Sequence, residues 1–110
     1  MKILIKLLTN VHYNRIIGET HIPISEVHFY SKKVIKSSLF IAINGLKNNG
    51  HDFINDAIKA GSTAIICEVL PTSYQKGVTY IQVENLPEIN LKGKKDYALL
   101  KLQMENLFRG

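Results

Sequence analysis

The stretch SLFIAINGLKNNGHDFINDAIKAGSTAIIC, residues 38–67, decides the fold. Its opening SLFIAI is an apolar run too short for an ordinary helix, the pattern of a strand buried on both faces. Further on, Phe53, Ile54, Ala57 and Ile58 recur at helical spacing. Asp52 stands as N-cap or first-turn residue, and Gly61 falls where a C-cap glycine belongs. The closing AIIC, residues 64–67, is a second buried strand. Strand, helix and strand with short connections make a βαβ unit, right-handed by strong default.

Outward from this unit the signals are shorter. VTYIQV, residues 78–83, alternates as a third strand after a loop containing Pro71. Upstream, residues 21–29 suggest two short extended pieces with a break near Pro23. Residues 2–8 place Ile3, Leu4, Leu7 and Leu8 on one helical face, a first helix ending before Asn10. Downstream, a loop with Pro87 and Gly93 leads to an amphipathic segment, residues 96–108, carrying Leu99, Leu100, Leu102, Leu107 and Phe108. The order predicts one α/β domain over residues 1–110, a small mixed β-sheet flanked by helices.

Composition narrows the setting. The single Cys67 lies in an apolar run, so a buried, reduced thiol and a cytoplasmic location are expected. Lys6 interrupts the apolar N-terminus and no small-residue cleavage site follows, so neither a signal peptide nor a membrane span is expected. The formal net charge of +5 invites a nucleic-acid-binding reading. Its lysines are scattered, however, apart from Lys32, Lys33 and Lys36 and then Lys92, Lys94, Lys95 and Lys101. Abundant lysine, isoleucine and asparagine together match the bias of an AT-rich genome, which makes nucleic acid the lesser reading.

For chemistry, the chain lacks both GxxxxGK[ST] and GxGxxG, so it holds no ATP site of the usual kind. His12, His21, His28 and His51 have no cysteine or carboxylate at ligand spacing, and no metal site is expected. Ser31, His51 and Asp52 make a nucleophile trio only on paper, so no catalytic residue is assigned. His51 reads as a satisfied helix-start residue rather than a base. What remains is two polar loops at strand ends, FYSKK (residues 29–33) and GLKNNG (residues 45–50). Ligands of open α/β sheets sit at the carboxyl ends of strands, so these loops form a candidate cleft for a phosphorylated ligand. The glycine loop fits a phosphate cradle and a plain solvated turn equally well. Asp52 would compete for the N–H groups of the helix start, so a diphosphate belongs against the loop and the lysines.

Read continuously, FYSKKVIKSSLFIAINGLKNNGHDFINDAIKAGS (residues 29–62) resembles the N-terminal signature of the Mur ligases, DSRxVxxGxLFxAxxGxxxDGHxFIxxAxxxGA. The later CEVLPTSYQKGVTYIQVEN resembles the strand, loop and strand that follow in the member adding the third peptide residue. The resemblance implies a domain holding the UDP part of UDP-N-acetylmuramoyl-dipeptide for a longer, ATP-dependent, amide-forming ligase of peptidoglycan precursor synthesis. Ser31 then matches a contact to the UDP-sugar, and Phe29 a residue lining the nucleotide site. Gly45 matches the loop glycine, and Leu46, Lys47 and Asn48 the nucleotide contacts after it. ATP and magnesium are implied for a central domain outside these residues, with no cofactor here and no catalysis by the chain alone. The expected partners are the UDP-sugar-peptide and that ATP-binding domain, with no membrane. The member that adds D-alanyl-D-alanine has a close pattern and is the alternative.

Four positions depart from the signature: Tyr30 replaces its aspartate, Lys32 its arginine, Ser37 the glycine before LF, and Asn49 the aspartate before GH. Losing aspartate and arginine together removes an internal ion pair and keeps the hydroxyl. A lysine does not replace a bidentate guanidinium fork. Lower affinity for the UDP-sugar is the expected consequence.

Overall fold

A computed structural model describes residues 2–9, 11, 13–42 and 50–83. In chain order it contains β1 (Lys2–Ile3), α1 (Leu4–Leu7), β2 (Tyr13–Ile17), β3 (Pro23–Ile24) and β4 (Val27–His28). A 3-10 turn, Ser31–Lys33, precedes β5 (Leu39–Ala42). A second 3-10 turn, Gly50–Phe53, leads into α2 (Ile54–Lys59), followed by β6 (Ala64–Cys67) and β7 (Thr79–Val83). Among the described residues the strands form a five-stranded sheet, ordered β2-β7-β6-β5-β4, and a two-stranded one, β1-β3. Strands β4 to β7 are parallel neighbours, and β2 pairs antiparallel with β7. The sheet is therefore mixed, with the βαβ unit β5-α2-β6 at its centre.

The apolar runs are continuous because both faces of the parallel strands are covered. Alternation along each strand sorts the side chains. Leu39, Ile41, Ile66 and Ile81 enter one core with Leu4, Leu7 and Leu8 of the α1 segment and with Ile24 of β3. Phe40, Ile65, Cys67 and Tyr80 enter the other, closed by Ile54 and Ala57 of α2. Each fully buried isoleucine stabilises the fold by about 2 kcal/mol through removal from water. Cys67 is buried and free. Burial, and then the neighbouring Glu68 carboxylate, push its thiol up to about 11.

The connection after α2 is set by Gly61. The Gly61 N–H bonds to the Ile58 carbonyl and the Ser62 N–H to the Ala57 carbonyl, both at 3.0 Å, which is a Schellman end. It requires a left-handed residue, and Gly61 has φ +114°. A Cβ there would lie 2.8 Å from the Lys36 Cα. Across this contact the Ser37 N–H donates to the Gly61 carbonyl at 2.8 Å, and Ser37 itself has φ 64°. The glycine of the family signature at this position thus has a backbone reason, which Ser37 meets at a cost in strain.

Three readings change against the structure. The first helix is shorter than residues 2–8, because Lys2 and Ile3 are extended and pair with Ile24 and Pro23. The apolar stripe Leu4, Leu7, Leu8 is nonetheless buried. The N-cap of α2 is Phe53, without a side-chain cap bond, and Asp52 lies in the first turn of the preceding 3-10 segment. Strand β2 has no counterpart in the sequence reading, since its first three residues are exposed and YNRII shows no alternation. The helix expected over residues 96–108 lies outside the described residues.

Two outcomes follow for stability and reactivity. Ser37→Gly should raise stability by about 1 kcal/mol, by relief of a left-handed serine, and Gly61→Ala should lower it by about 2 kcal/mol. Urea melts measure both, and a Ser37→Gly chain no more stable than the native one would refute the strain. Cys67 should resist Ellman's reagent at pH 8 until the chain is unfolded. Because its folded pKa is raised above the ordinary 9.0, the associated stability is present below pH 9 and lost as pH rises through about 11.

Candidate functional site

The four parallel strands share one carboxyl edge, and the sequence-predicted residues that are described lie along it. Strand β4 ends at His28, and Phe29 follows, half-buried against the core that contains Leu4 and Leu39. Tyr30 is next, extended and 65% exposed. Ser31 then begins the 3-10 turn, closed by Lys33 N–H to the Tyr30 carbonyl at 3.0 Å and Val34 N–H to the Ser31 carbonyl at 3.2 Å. Among the described residues nothing hydrogen-bonds the Ser31 hydroxyl. Lys32 and Lys33 point into solvent, while Val34 is buried among Ile54 and Ala57 of α2. Val34 therefore anchors a turn that presents a hydroxyl and two ammonium groups. Gly45, Leu46, Lys47 and Asn48 lie outside the described residues.

At the end of β6 the structure adds a residue that the sequence reading had treated as scaffold. The His51 Nε2 accepts the backbone N–H groups of Glu68 and Val69, each at 3.1 Å. These are the first two amides beyond β6, where the strand ladder no longer supplies acceptors. An imidazole nitrogen that receives two N–H groups cannot itself carry a proton, so the ring is neutral with its proton on Nδ1. Burial lowers the His51 pKa below 6.5, against the pull of the Glu68 and Asp52 carboxylates. The Glu68 carbonyl in turn accepts the Gln82 side-chain amide at 3.1 Å, which ties the same peptide to β7. No sequence signal short of the fold indicates this, because the partners are backbone groups 17 and 18 residues away.

A second pair was also missed. His28 Nε2 lies 2.6 Å from Glu26 Oε1, near the start of the FYSKK loop. Residues two apart on an extended chain point the same way, which permits the contact. Among the described residues no three of histidine, cysteine, aspartate and glutamate come together as metal ligands, and no helix is long and apolar enough to cross a membrane.

The family described as "Mur ligase family, catalytic domain" matches residues 23–93. Among curated proteins, the UDP-N-acetylmuramoyl-L-alanyl-D-glutamate–2,6-diaminopimelate ligase of Bacteroides fragilis is 41% identical over 78 residues, 71% of this chain and 16% of the relative. The ligase of the same name from Cytophaga hutchinsonii is 39% identical over 83 residues, 74% of this chain and 17% of the relative. The chain thus spans about a sixth of the length of these relatives. Among solved structures, MurF from Acinetobacter baumannii superposes with a TM-score of 0.56 at 17% identity, over 74% of this chain and 17% of that one, which is a likeness of fold. By the family match over more than half its length, the chain belongs to the Mur ligase family.

Proposed function

We propose that this chain is the UDP-binding part of an ATP-dependent ligase that adds the third residue to UDP-N-acetylmuramoyl-L-alanyl-D-glutamate in peptidoglycan precursor synthesis. The observation that carries the reading is the 41% identity to a ligase bearing that substrate in its name. The shared name of the relatives favours 2,6-diaminopimelate as the amino acid the parent enzyme would join. The carboxyl-edge turn supports the assignment, because Ser31, Lys32 and Lys33 offer a hydroxyl and two cations where α/β sheets receive ligands. Phe29 and the loop residues Gly45, Leu46, Lys47 and Asn48 complete the proposed contact set.

The reaction implied for the parent converts the terminal carboxylate of the substrate to an acyl phosphate, which the incoming amine attacks. These 110 residues contain no GxxxxGK[ST], and the described ones bring together no magnesium ligand set. The work proposed for this chain is positioning: binding energy at the remote UDP end is used to hold the reacting carboxylate in place. ATP, magnesium and the ATP-binding domain belong to the rest of the parent, and the setting is cytoplasmic.

Isothermal calorimetry with UDP and with UDP-N-acetylmuramoyl-L-alanyl-D-glutamate tests the proposal. The native chain should bind both, and Ser31→Ala should weaken binding about tenfold, the effect of one hydrogen bond to a charged group. No heat from either ligand at millimolar concentration would sink the reading. Steeply salt-dependent binding to single-stranded DNA in its place would favour a nucleic-acid module.

A further inference from the structure

We propose that the contact between His51 and the first two amides beyond β6 is an acid-labile latch: it holds the Gly50–Phe53 turn closed at neutral pH and lets it open when Nε2 is protonated. The device is part of the fold and does not depend on the UDP-binding reading. Its geometric basis is that the two partners of the contact are anchored unequally. On one side, the Glu68 and Val69 N–H groups meet Nε2 at 3.1 Å, and the Glu68 carbonyl also accepts the Gln82 side-chain amide at 3.1 Å. An amide does not titrate, so the Glu68 peptide stays tied to β7 at every pH at which the sheet is folded. On the other side stands the Gly50–Phe53 turn, in which Asp52 and Phe53 are exposed and no residue is fully buried. Behind it α2 is fixed by Ile54 and Ala57 in the core and by the Gly61 end against Ser37. When the contact breaks, the part that moves is therefore the turn.

The chemistry of the contact sets the trigger. Protonation of Nε2 replaces an acceptor by a third N–H facing two others, so the contact cannot persist in the imidazolium. Among the described residues, the charged and titratable groups on the surrounding elements are few. Asp52 lies on the turn itself and Glu68 just beyond β6, and both favour the imidazolium. The Cys67 thiol at the end of β6 titrates near 11 and is uncharged at neutral pH. Strand β5, LFIA, carries none, and Asp56 and Lys59 of α2 are exposed. Tyr80 of β7 accepts the Gln75 N–H on its hydroxyl oxygen at 2.9 Å. Burial outweighs the two carboxylates, so the pKa of the closed form lies below the ordinary 6.5 at which a released ring titrates. The sign follows: the latch is complete above pH 6.5, and below it each pH unit raises the ratio of open to closed turn by up to about tenfold, until the closed-form pKa is passed.

The test is amide hydrogen exchange of the nitrogen-15-labelled 110-residue chain by NMR, read as protection factors so that the intrinsic pH dependence of exchange divides out. Between pH 7.5 and pH 5 the Glu68 and Val69 amides of the native chain should lose protection several-fold, and at most about thirtyfold. The amides of Ile65 and Ile66, inside β6, should keep theirs. At pH 7.5 the His51 ring should carry its proton on Nδ1 alone, seen in long-range proton–nitrogen spectra. His51→Gln keeps a neutral acceptor that does not titrate, so its Glu68 and Val69 amides should be equally protected at both pH values. Unchanged protection of Glu68 and Val69 in the native chain at pH 5 would overturn the latch, and so would a proton on Nε2 at pH 7.5. Loss by the same factor at Ile65 and Ile66 would mean that the whole sheet opens, which also overturns it. Parallel loss in His51→Gln would assign the pH dependence to another group. The ring proton and the comparison with Ile65 and Ile66 are read on the native chain, so the inference stays refutable even if His51→Gln does not fold.

Discussion

The pairing of β5 with β6 is the constraint on which the rest of the structure depends. Leu39, Phe40, Ile41 and Ala42 lie opposite Ala64, Ile65, Ile66 and Cys67, and every one of these side chains is buried. A parallel pair of this kind cannot be closed by a hairpin, so the chain must leave the sheet and return over one face. That requirement produces α2 and the turn before it. Because both faces of the pair are apolar, a second layer is also needed. It is supplied by Leu4, Leu7 and Ile24, far from the crossover in sequence.

Satisfying the crossover in so little chain concentrates backbone hydrogen bonding at its two ends. At the amino end of the strands, Ser37, Gly61 and Ser62 interlock: Ser37 N–H bonds to Gly61, and the Ser62 hydroxyl lies 2.9 Å from the carbonyls of Ser38 and Ala64. This explains why a left-handed serine is tolerated, since the surrounding bonds over-determine its conformation. At the carboxyl end the same need is met by a side chain, His51, because the amides beyond β6 have no further strand to pair with. The two ends therefore differ in kind. The amino end is held by backbone and hydroxyl bonds, and the carboxyl end by an imidazole that accepts the amides of Glu68 and Val69.

What could be read from the sequence divides along the same physical line. The runs LFIAI and AIIC announced their strands because burial on both faces leaves no polar residue inside them, VTYIQV announced its strand by alternation, and Gly61 announced the helix end because a left-handed conformation selects glycine. Strand β2 was hidden, since an edge strand with exposed Tyr13, Asn14 and Arg15 carries no burial pattern. Lys2 and Ile3 looked helical because the apolar spacing of Ile3, Leu4, Leu7 and Leu8 is the same whether or not the first residue is in the helix. Only the non-local pairing with β3 decides it. Ser31 and Phe29 were singled out through the family signature, and the structure puts both just beyond the carboxyl end of β4. His51 was legible as a residue but not as a contact, because an acceptor for backbone amides leaves no mark on the partner's sequence.

The departures from the signature acquire different weights in this light. Ser37 affects the buried end of the crossover and bears on stability, since its neighbours are strand and helix termini. Tyr30 and Lys32 lie on the exposed turn, away from the core, and bear on the proposed binding alone. If the proposed UDP site is right, electrostatics favours this turn over the start of α2 as its cationic wall. The six-residue α2 is entered through a turn carrying Asp52 and has Asp56 in its own first turn, so its dipole is already opposed by two carboxylates. The Ser31–Lys33 turn has no acidic residue in its first turn and two exposed lysines at its end. An ammonium can meet a diphosphate as a point charge without the planar fork that a carboxylate partner would need. The exchange of an aspartate–arginine pair for Tyr30 and Lys32 therefore removes a contact within the turn, and it leaves the turn more positive toward an anionic ligand than the signature itself would be.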